Sequence, residues 1–178
     1  MQFVKILSIL AKLLQENQIP YLIVGGVALG MHGYVRATKD IDFMVREKDK
    51  EKIAVIMKDL GYELFHQGNG FMQYEHQLKV YGLVDYLLAR SAIGEEMIAN
   101  AVLRDIDDGI TKLQVARLED IIILKLLVLK GGKERGIDRD DLEAIFTMFG
   151  ASLDWDYLLD CAILLGMEEM INAYRKIH

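Results

Sequence analysis

The pattern of apolar positions changes period several times along the first part of the chain. Over residues 1–18 apolar side chains recur at helical spacing and are interrupted by charged and amide side chains, which predicts an amphipathic helix rather than a signal peptide. The run 21–24, YLIV, is typical of a short buried strand, and 27–32 suits a short helix. From Asp40 to Val45 the pattern DIDFMV predicts a strand with two acidic side chains on one face.

Strand and helix patterns continue to alternate through the middle of the chain. The predicted elements are a helix over 48–60, strands over 62–66, 71–80 and 82–89, a helix from Glu95 to Arg104 and a strand over 111–115. From Arg117 onward every pattern is helical. The predicted helices are 117–130, 138–149, 154–165 and 167–177, the third of them capped by Ser152 or Asp154.

This order of elements predicts an α+β fold. Residues 1–116 mix strands and helices and form the expected sheet core, and residues 117–178 form a helical part packed on that core, in a single compact unit. A chain of 178 residues is long enough to bury such a core without disulfides.

Composition narrows the classes of function. The net charge is −6 and the pI about 5.2, which disfavours extensive contacts with a nucleic-acid backbone, because those require a basic surface. Cys161 is the single cysteine and lies in an apolar run, which favours a buried, inert thiol and a reducing, cytoplasmic setting. The apolar run IIILKLLVL contains Lys125 and is too short to span a membrane, so no membrane partner is expected.

Two acidic residues on the predicted 40–45 strand carry the strongest chemical signal. Asp40 and Asp42 project from one face, about 6 to 7 Å apart at the backbone, so their carboxylates can converge. Two ionised carboxylates about 5 Å apart repel by roughly 3 kcal/mol at an effective dielectric near 20. Solvent, a basic neighbour such as Arg36 or Lys39, or a hard divalent cation would offset this repulsion.

A third acid lies in the predicted strand 82–89. Asp85 stands within the apolar sequence LVDYLL, where a charged side chain is seldom found unless it is paired or coordinated. If this strand neighbours the 40–45 strand, three carboxylates meet at one point and can hold two metal ions. The alternative is that the acids face solvent on an edge strand. Gly25 and Gly26 follow a strand and precede a helix, where backbone N–H groups can approach a phosphate, although a glycine pair alone more often marks a turn.

The spacing of these residues resembles a known family. The glycine pair, then Arg36-x-Thr38-x-Asp40-x-Asp42, then the isolated Asp85 look like the motifs of the DNA-polymerase-beta-like nucleotidyltransferase superfamily. The resemblance implies a nucleotidyltransferase fold, in which a small mixed sheet is flanked by helices and followed by a C-terminal helical appendage.

A second block extends the resemblance toward the carboxy terminus. The segment 118–129, followed by Arg135-x-x-Asp138-x-x-Asp141-Leu, is similar to the carboxy-terminal motifs of the abortive-infection (AbiEii-like) nucleotidyltransferases, which include toxins of toxin–antitoxin pairs. That family usually carries a lysine just before the aspartate matched by Asp138, and here the position is Ile137.

The resemblance implies a role for each matching residue. Nucleotide binding falls to Gly25, Gly26, Arg36, Thr38 and Lys125. Metal binding and catalysis fall to Asp40, Asp42 and Asp85, the last helping to activate the incoming hydroxyl. The implied cofactor is Mg²⁺, as two ions, with Mn²⁺ as an alternative.

Three of the matching residues have simpler explanations. Lys125 can extend from an apolar helix to solvent without touching a ligand. For Asp138 we expect a helix cap, and for Arg135 a solvated loop position.

The expected function is Mg²⁺-dependent transfer of a nucleoside monophosphate from a nucleoside triphosphate to a hydroxyl. The acceptor is open between a tRNA, a protein and a small molecule, and an antitoxin protein is a further expected partner. One alternative is a catalytically inactive nucleotide-binding or toxin–antitoxin partner module of the same fold. Another is a purely structural α+β protein.

Overall fold

The computed structural model describes residues 3–106, 111–132 and 136–176. The chain divides into two compact units, Met1–Ala116 and Arg117–His178. The first unit contains the sheet and the second is helical. The packing of the helical part on the core stays a prediction. Arg135 lies outside the described residues.

A seven-stranded mixed sheet forms the centre of the first unit. The strands are β1 (Tyr21–Val24), β2 (Asp40–Arg46), β3 (Tyr62–Gly68), β4 (Phe71–His76), β5 (Leu83–Ala89), β6 (Val102–Ile106) and β7 (Thr111–Val115). Their order across the sheet is β3-β4-β5-β2-β1-β7-β6. The pairs β2–β5 and β1–β7 are parallel, and the other neighbours are antiparallel. The predicted α+β fold with a mixed sheet and helices is confirmed.

Helices form several of the connections in the first unit and the secondary structure described for the second. The α-helices are α1 (Phe3–Glu16), α2 (Gly25–Met31), α3 (Lys50–Asp59), α4 (Ala92–Ala99), α5 (Leu118–Lys130), α6 (Gly136–Phe149), α7 (Trp155–Leu165) and α8 (Glu168–Arg175). Single 3₁₀ turns lie at Glu47–Asp49, Lys79–Tyr81 and Gly150–Ser152. Asp154 caps α7 by accepting a hydrogen bond from the backbone N–H of Tyr157, as the sequence predicted.

The two faces of the central strands differ in burial, and this difference determines the face from which the acidic side chains project. Successive side chains of a strand point to opposite faces. On β2, Phe43 is fully buried, and its ring stacks on Tyr86 of β5 and meets Tyr21 of β1 edge to face. Burying one such aromatic side chain contributes about 1.5 to 3 kcal/mol. Because this face is fixed in the core, Asp42 must project from the opposite, half-buried face.

Two predicted elements in the first unit are wrong. The helix expected from Glu95 to Arg104 ends at Ala99, and Val102–Ile106 forms β6, which pairs antiparallel with β7. The strand expected over 71–80 ends at His76, because the chain then turns through Lys79–Tyr81 to enter β5.

The second unit contains a buried ionic cluster between α5 and α6. Lys125 is 7% exposed, and its Nζ lies 3.0 Å from Oδ1 of Asp138 and 2.6 Å from Oδ2 of Asp141. The two aspartates are 2% and 0% exposed. Asp138 lies within the first turn of α6 and binds Lys125 through its side chain. The expected helix-cap role of Asp138 stays a prediction, because residues 133–135, which precede α6, lie outside the described residues.

A third buried acid in this unit stabilises the start of α5. Asp120 is fully buried and accepts hydrogen bonds from the guanidinium of Arg117 and from the hydroxyl of Tyr157. Burial raises the pKa of Asp120, and the bonds from Arg117 and Tyr157 oppose that rise. Cys161 of α7 is buried, as expected.

Among the helices of the described residues, none is both long and apolar enough to cross a membrane.

Candidate metal and nucleotide site

Strand register brings the three predicted acids together. On β2, Asp42 lies opposite Asp85 of the parallel strand β5 on one side and opposite Val24, the last residue of β1, on the other. Asp40 lies two residues before Asp42 and therefore on the same face of β2. One oxygen from each carboxylate falls within a group whose members all lie within 4.8 Å of one another. The predicted convergence of Asp40, Asp42 and Asp85 is confirmed.

Neutral side chains donate hydrogen bonds to two of these carboxylates. The hydroxyl of Thr38 donates to Oδ1 of Asp40 over 2.9 Å. The amide Nε2 of Gln73 on β4 donates to Oδ1 of Asp85, also over 2.9 Å. Each bond orients the carboxylate that accepts it.

A glycine is required at position 25 because the backbone there lies against the side chain of Asp42. Gly25 follows Val24 directly and is the first residue of α2, so the helix begins two residues earlier than predicted. A Cβ at this position would lie 2.1 Å from Oδ2 of Asp42, and the backbone φ of +65° is unfavourable for any residue with a side chain. The sequence suggested that this glycine leaves room for a phosphate, and the structure shows that it leaves room for a carboxylate of the acid cluster.

Gly26 has a similar role toward two other predicted residues. A Cβ here would lie 2.9 Å from Oγ1 of Thr38 and 3.0 Å from Nη1 of Arg36. Gly26 therefore allows the segment that precedes β2 to pack against α2. Of the five residues predicted to bind nucleotide, Gly25, Gly26, Arg36 and Thr38 are thus gathered beside the acid cluster.

The donor set fits a hard divalent cation. Carboxylate oxygens are the ligands that Mg²⁺ and Mn²⁺ prefer, and Mg²⁺ sites commonly use one or two carboxylates completed by water and substrate phosphates. Three half-buried carboxylates with oxygens within 4.8 Å of one another offer such a set on a surface that a nucleotide can reach. Asp40, Asp42 and Asp85 are the residues that would hold the metal.

Lys125 belongs to the second unit, where two buried aspartates already bind its ammonium group. Breaking these contacts to reach a phosphate would leave Asp138 and Asp141 without their cation. The predicted contact of Lys125 with the nucleotide stays a prediction, as do the roles of the other nucleotide-binding residues.

Gln73 is the site residue that the sequence did not indicate. Its position on β4 lies opposite Asp85 in the antiparallel β4–β5 pair. Gln73 and Glu75, two residues apart on β4, are only a weak signal in the sequence, because they mark the strand's less buried face without showing which neighbour Gln73 meets.

Comparison with known proteins identifies the family. The sequence matches the uncharacterised nucleotidyltransferase family over residues 1–177, and the chain belongs to that family. Membership supports nucleotidyl transfer in general as the chemistry of this protein. It agrees with the predicted superfamily, whereas the AbiEii-like toxin type is not confirmed. A search of curated proteins finds no match.

Solved structures show the same fold at low sequence identity. The antibiotic-resistance factor ANT(2'')-Ia aligns with a TM-score of 0.65 and 18% identity, covering 100% of both chains. The same factor in complex with adenylyl-2''-tobramycin gives a TM-score of 0.61 and 19% identity, covering 97% of this chain and 98% of the other. The lincosamide antibiotic adenylyltransferase LnuA, bound to lincomycin, gives a TM-score of 0.56 and 17% identity, covering 78% of this chain and 93% of the other. The nucleotidyltransferase fold is therefore confirmed.

Proposed function

We propose that this protein is a divalent-metal-dependent nucleotidyltransferase that moves a nucleoside monophosphate from a nucleoside triphosphate to a hydroxyl of an acceptor. The observation that carries the proposal is the convergence of Asp40, Asp42 and Asp85 beside Gly25. A protein that had kept only the fold would have no reason to hold three mutually repelling carboxylates together.

The reaction joins the acceptor oxygen to the α-phosphorus and breaks the bond from that phosphorus to the bridging oxygen, so that pyrophosphate leaves. Mg²⁺ held by Asp40, Asp42 and Asp85 would neutralise charge on the phosphates and would lower the pKa of the attacking hydroxyl. Asp85 is proposed to accept the proton of that hydroxyl, and Asp40 and Asp42 to fix the cations. Positioning of the two reactants supplies much of the remaining acceleration.

The segment before β2 is proposed to hold the triphosphate. Arg36 is half-exposed and packs on Gly26, so it can direct a cationic guanidinium toward the phosphates. Thr38 donates to Asp40 and can orient that carboxylate when the nucleotide is bound. Lys125 is assigned to the nucleotide by resemblance alone, and its two carboxylate partners favour a structural role.

For the acceptor we propose a small molecule that carries a hydroxyl group. Two structures of the same fold are described as an adenylyltransferase for a lincosamide antibiotic and as a complex with adenylyl-tobramycin. The net charge of −6 also makes a tRNA a poor electrostatic partner. A role in a toxin–antitoxin pair would instead require transfer to RNA or protein, which the same experiment detects.

The test is to incubate the purified protein with each α-labelled nucleoside triphosphate, Mg²⁺ and a cell extract, with tobramycin and lincomycin added in separate reactions. Label should enter a small molecule, and Asp42→Ala should reduce transfer to background while leaving the fold intact. Asp59→Ala, which removes an exposed acid at the end of α3, is the matched control and should retain full transfer. Undiminished labelling by the Asp42→Ala variant would show that the acid cluster is not the catalytic centre.

A further inference from the structure

We propose that Gln73 is a positioning residue for the metal site, acting through Asp85. This inference rests on the proposed function, because it assigns Gln73 the task of holding one of the three carboxylates in the orientation that binds a cation. Gln73 itself touches neither metal nor substrate in this proposal.

The position of Gln73 is fixed by the sheet. Antiparallel pairing of β4 with β5 places Gln73 directly opposite Asp85, and parallel pairing of β5 with β2 places Asp85 directly opposite Asp42. The three side chains therefore form a row across neighbouring strands on the less buried face of the sheet. Met72 and Tyr74, on either side of Gln73, are buried on the opposite face and set the direction of the Gln73 side chain.

The hydrogen bond from Gln73 has a defined chemical effect. Its Nε2 donates to Oδ1 of Asp85 over 2.9 Å, which occupies one part of a carboxylate that has about four lone-pair sites. A neutral donor orients the carboxylate without cancelling its charge, whereas a lysine or arginine in this position would compete with the metal.

Asp40 and Asp42 are each constrained by a different group. Thr38 donates to Asp40, and the absence of a side chain at Gly25 leaves the space in which Oδ2 of Asp42 lies. Gln73 completes the set, so that each carboxylate of the cluster has its own neighbour acting on one oxygen. Three repelling carboxylates need this kind of support to stay in one orientation when no cation is bound.

Gln77, which directly follows β4, offers a matched control. Its Nε2 also donates to a carboxylate oxygen over 2.9 Å, that of Glu63, but both residues are exposed and neither belongs to the acid cluster. Gln73 and Gln77 thus make the same type of bond and differ in whether the accepting acid is proposed to bind metal.

The test uses Mn²⁺ alone as the probe and the full chain without nucleotide. Free Mn²⁺ is measured by its electron paramagnetic resonance signal during titration of the wild type, Gln73→Leu, Gln77→Leu and Asp42→Asn. Loss of an outer hydrogen bond to a metal ligand typically lowers affinity by about 10- to 100-fold, and we expect the lower end, about tenfold, for Gln73→Leu because water can reach half-buried Asp85. Gln77→Leu should bind as the wild type does.

The thermal midpoint of each metal-free variant separates positioning from folding. Gln73→Leu should unfold within a few degrees of the wild type, and Gln73→Met, which keeps the unbranched chain, should repeat the loss of affinity if the leucine variant folds poorly. Wild-type affinity in both Gln73 variants, together with loss of binding in Asp42→Asn, would overturn the role of Gln73 and leave the proposed function standing. Failure of the wild type to bind Mn²⁺ would overturn both.

Discussion

The two units of this protein each contain a group of close acidic residues. The groups differ in burial and in the side chains that contact their carboxylates. In the second unit, Asp138 and Asp141 are almost completely buried and share the ammonium of Lys125. In the first unit, Asp40, Asp42 and Asp85 are half-buried, and neutral groups donate to two of them. Burying two carboxylates costs much free energy unless a cation of the protein lies beside them. A half-exposed cluster remains partly hydrated and can bind a cation from solution.

This difference separates a structural cluster from a candidate catalytic one. The Lys125 cluster joins α5 to α6, and its three residues belong to one unit. The cluster beside Gly25 lies at the point where three strands and the start of a helix meet, and one oxygen from each of its carboxylates lies within 4.8 Å of the other two. Substitutions in the two clusters should therefore affect different properties, folding in one and metal binding in the other.

The largest effect on stability should come from Lys125→Met. The substitution keeps the length of the side chain and removes the ammonium group that both buried carboxylates contact. Removing one partner of a buried ion pair costs about 3 to 5 kcal/mol, and the free energy of unfolding measured by chemical denaturation should fall by that amount. Mn²⁺ binding to the folded fraction should persist.

The control for this variant is Lys130→Met on the same helix. Lys130 is exposed and donates to the backbone carbonyl of Leu165, so its loss should cost less than about 1 kcal/mol. A Lys125→Met protein as stable as the wild type, but unable to bind nucleotide, would restore the role that the family resemblance implied for Lys125.

Gly25→Ala should lower stability less than Lys125→Met does, and it should lower the affinity for Mn²⁺ more. The backbone φ of +65° costs an alanine roughly 1 to 2 kcal/mol. The new Cβ would also lie 2.1 Å from Oδ2 of Asp42, so the carboxylate must move away from its partners. The Mn²⁺ affinity should fall by more than about tenfold, the lower limit typical of disturbed support for a metal ligand.

Gly30→Ala tests whether this loss is specific to the cluster. Gly30 lies in the same helix as Gly25, and a Cβ there would meet nothing within 4 Å. Because alanine favours a helix over glycine by up to about 1 kcal/mol, this variant should be as stable as the wild type or more stable, with unchanged affinity. Equal Mn²⁺ affinity in Gly25→Ala and Gly30→Ala would mean that Asp42 does not contribute to the metal site.

The sequence was sufficient to place Asp40 and Asp42 on one face of a strand because strand alternation is local, whereas the meeting of Asp85 with them was conditional on the pairing of the two strands. Two acids at a spacing of two on one predicted strand, and one acid isolated in another apolar strand, indicate where carboxylates face once the buried sides are assigned. The sequence does not show which strands pair with one another. Gln73 could not be assigned to Asp85, because a pairing register depends on the whole sheet.

The missed strand β6 has a related cause. It lies at an edge of the sheet, and its three central residues are exposed, so its sequence shows no alternation between an inner and an outer face. The contact of Gly25 with Asp42 was also outside the reach of sequence patterns. It depends on the end of β1 lying opposite the middle of β2, a tertiary arrangement that a glycine pair alone does not encode.

The central claim, that Asp40, Asp42 and Asp85 share a divalent cation, is tested most directly by anomalous diffraction from crystals grown with Mn²⁺ and a non-hydrolysable nucleoside triphosphate. We predict an anomalous peak within bonding distance, about 2.0 to 2.2 Å, of oxygens from these carboxylates, with phosphate oxygens completing the coordination. A nucleotide bound with its Mn²⁺ elsewhere, and with the three carboxylates turned away from it, would contradict the claim.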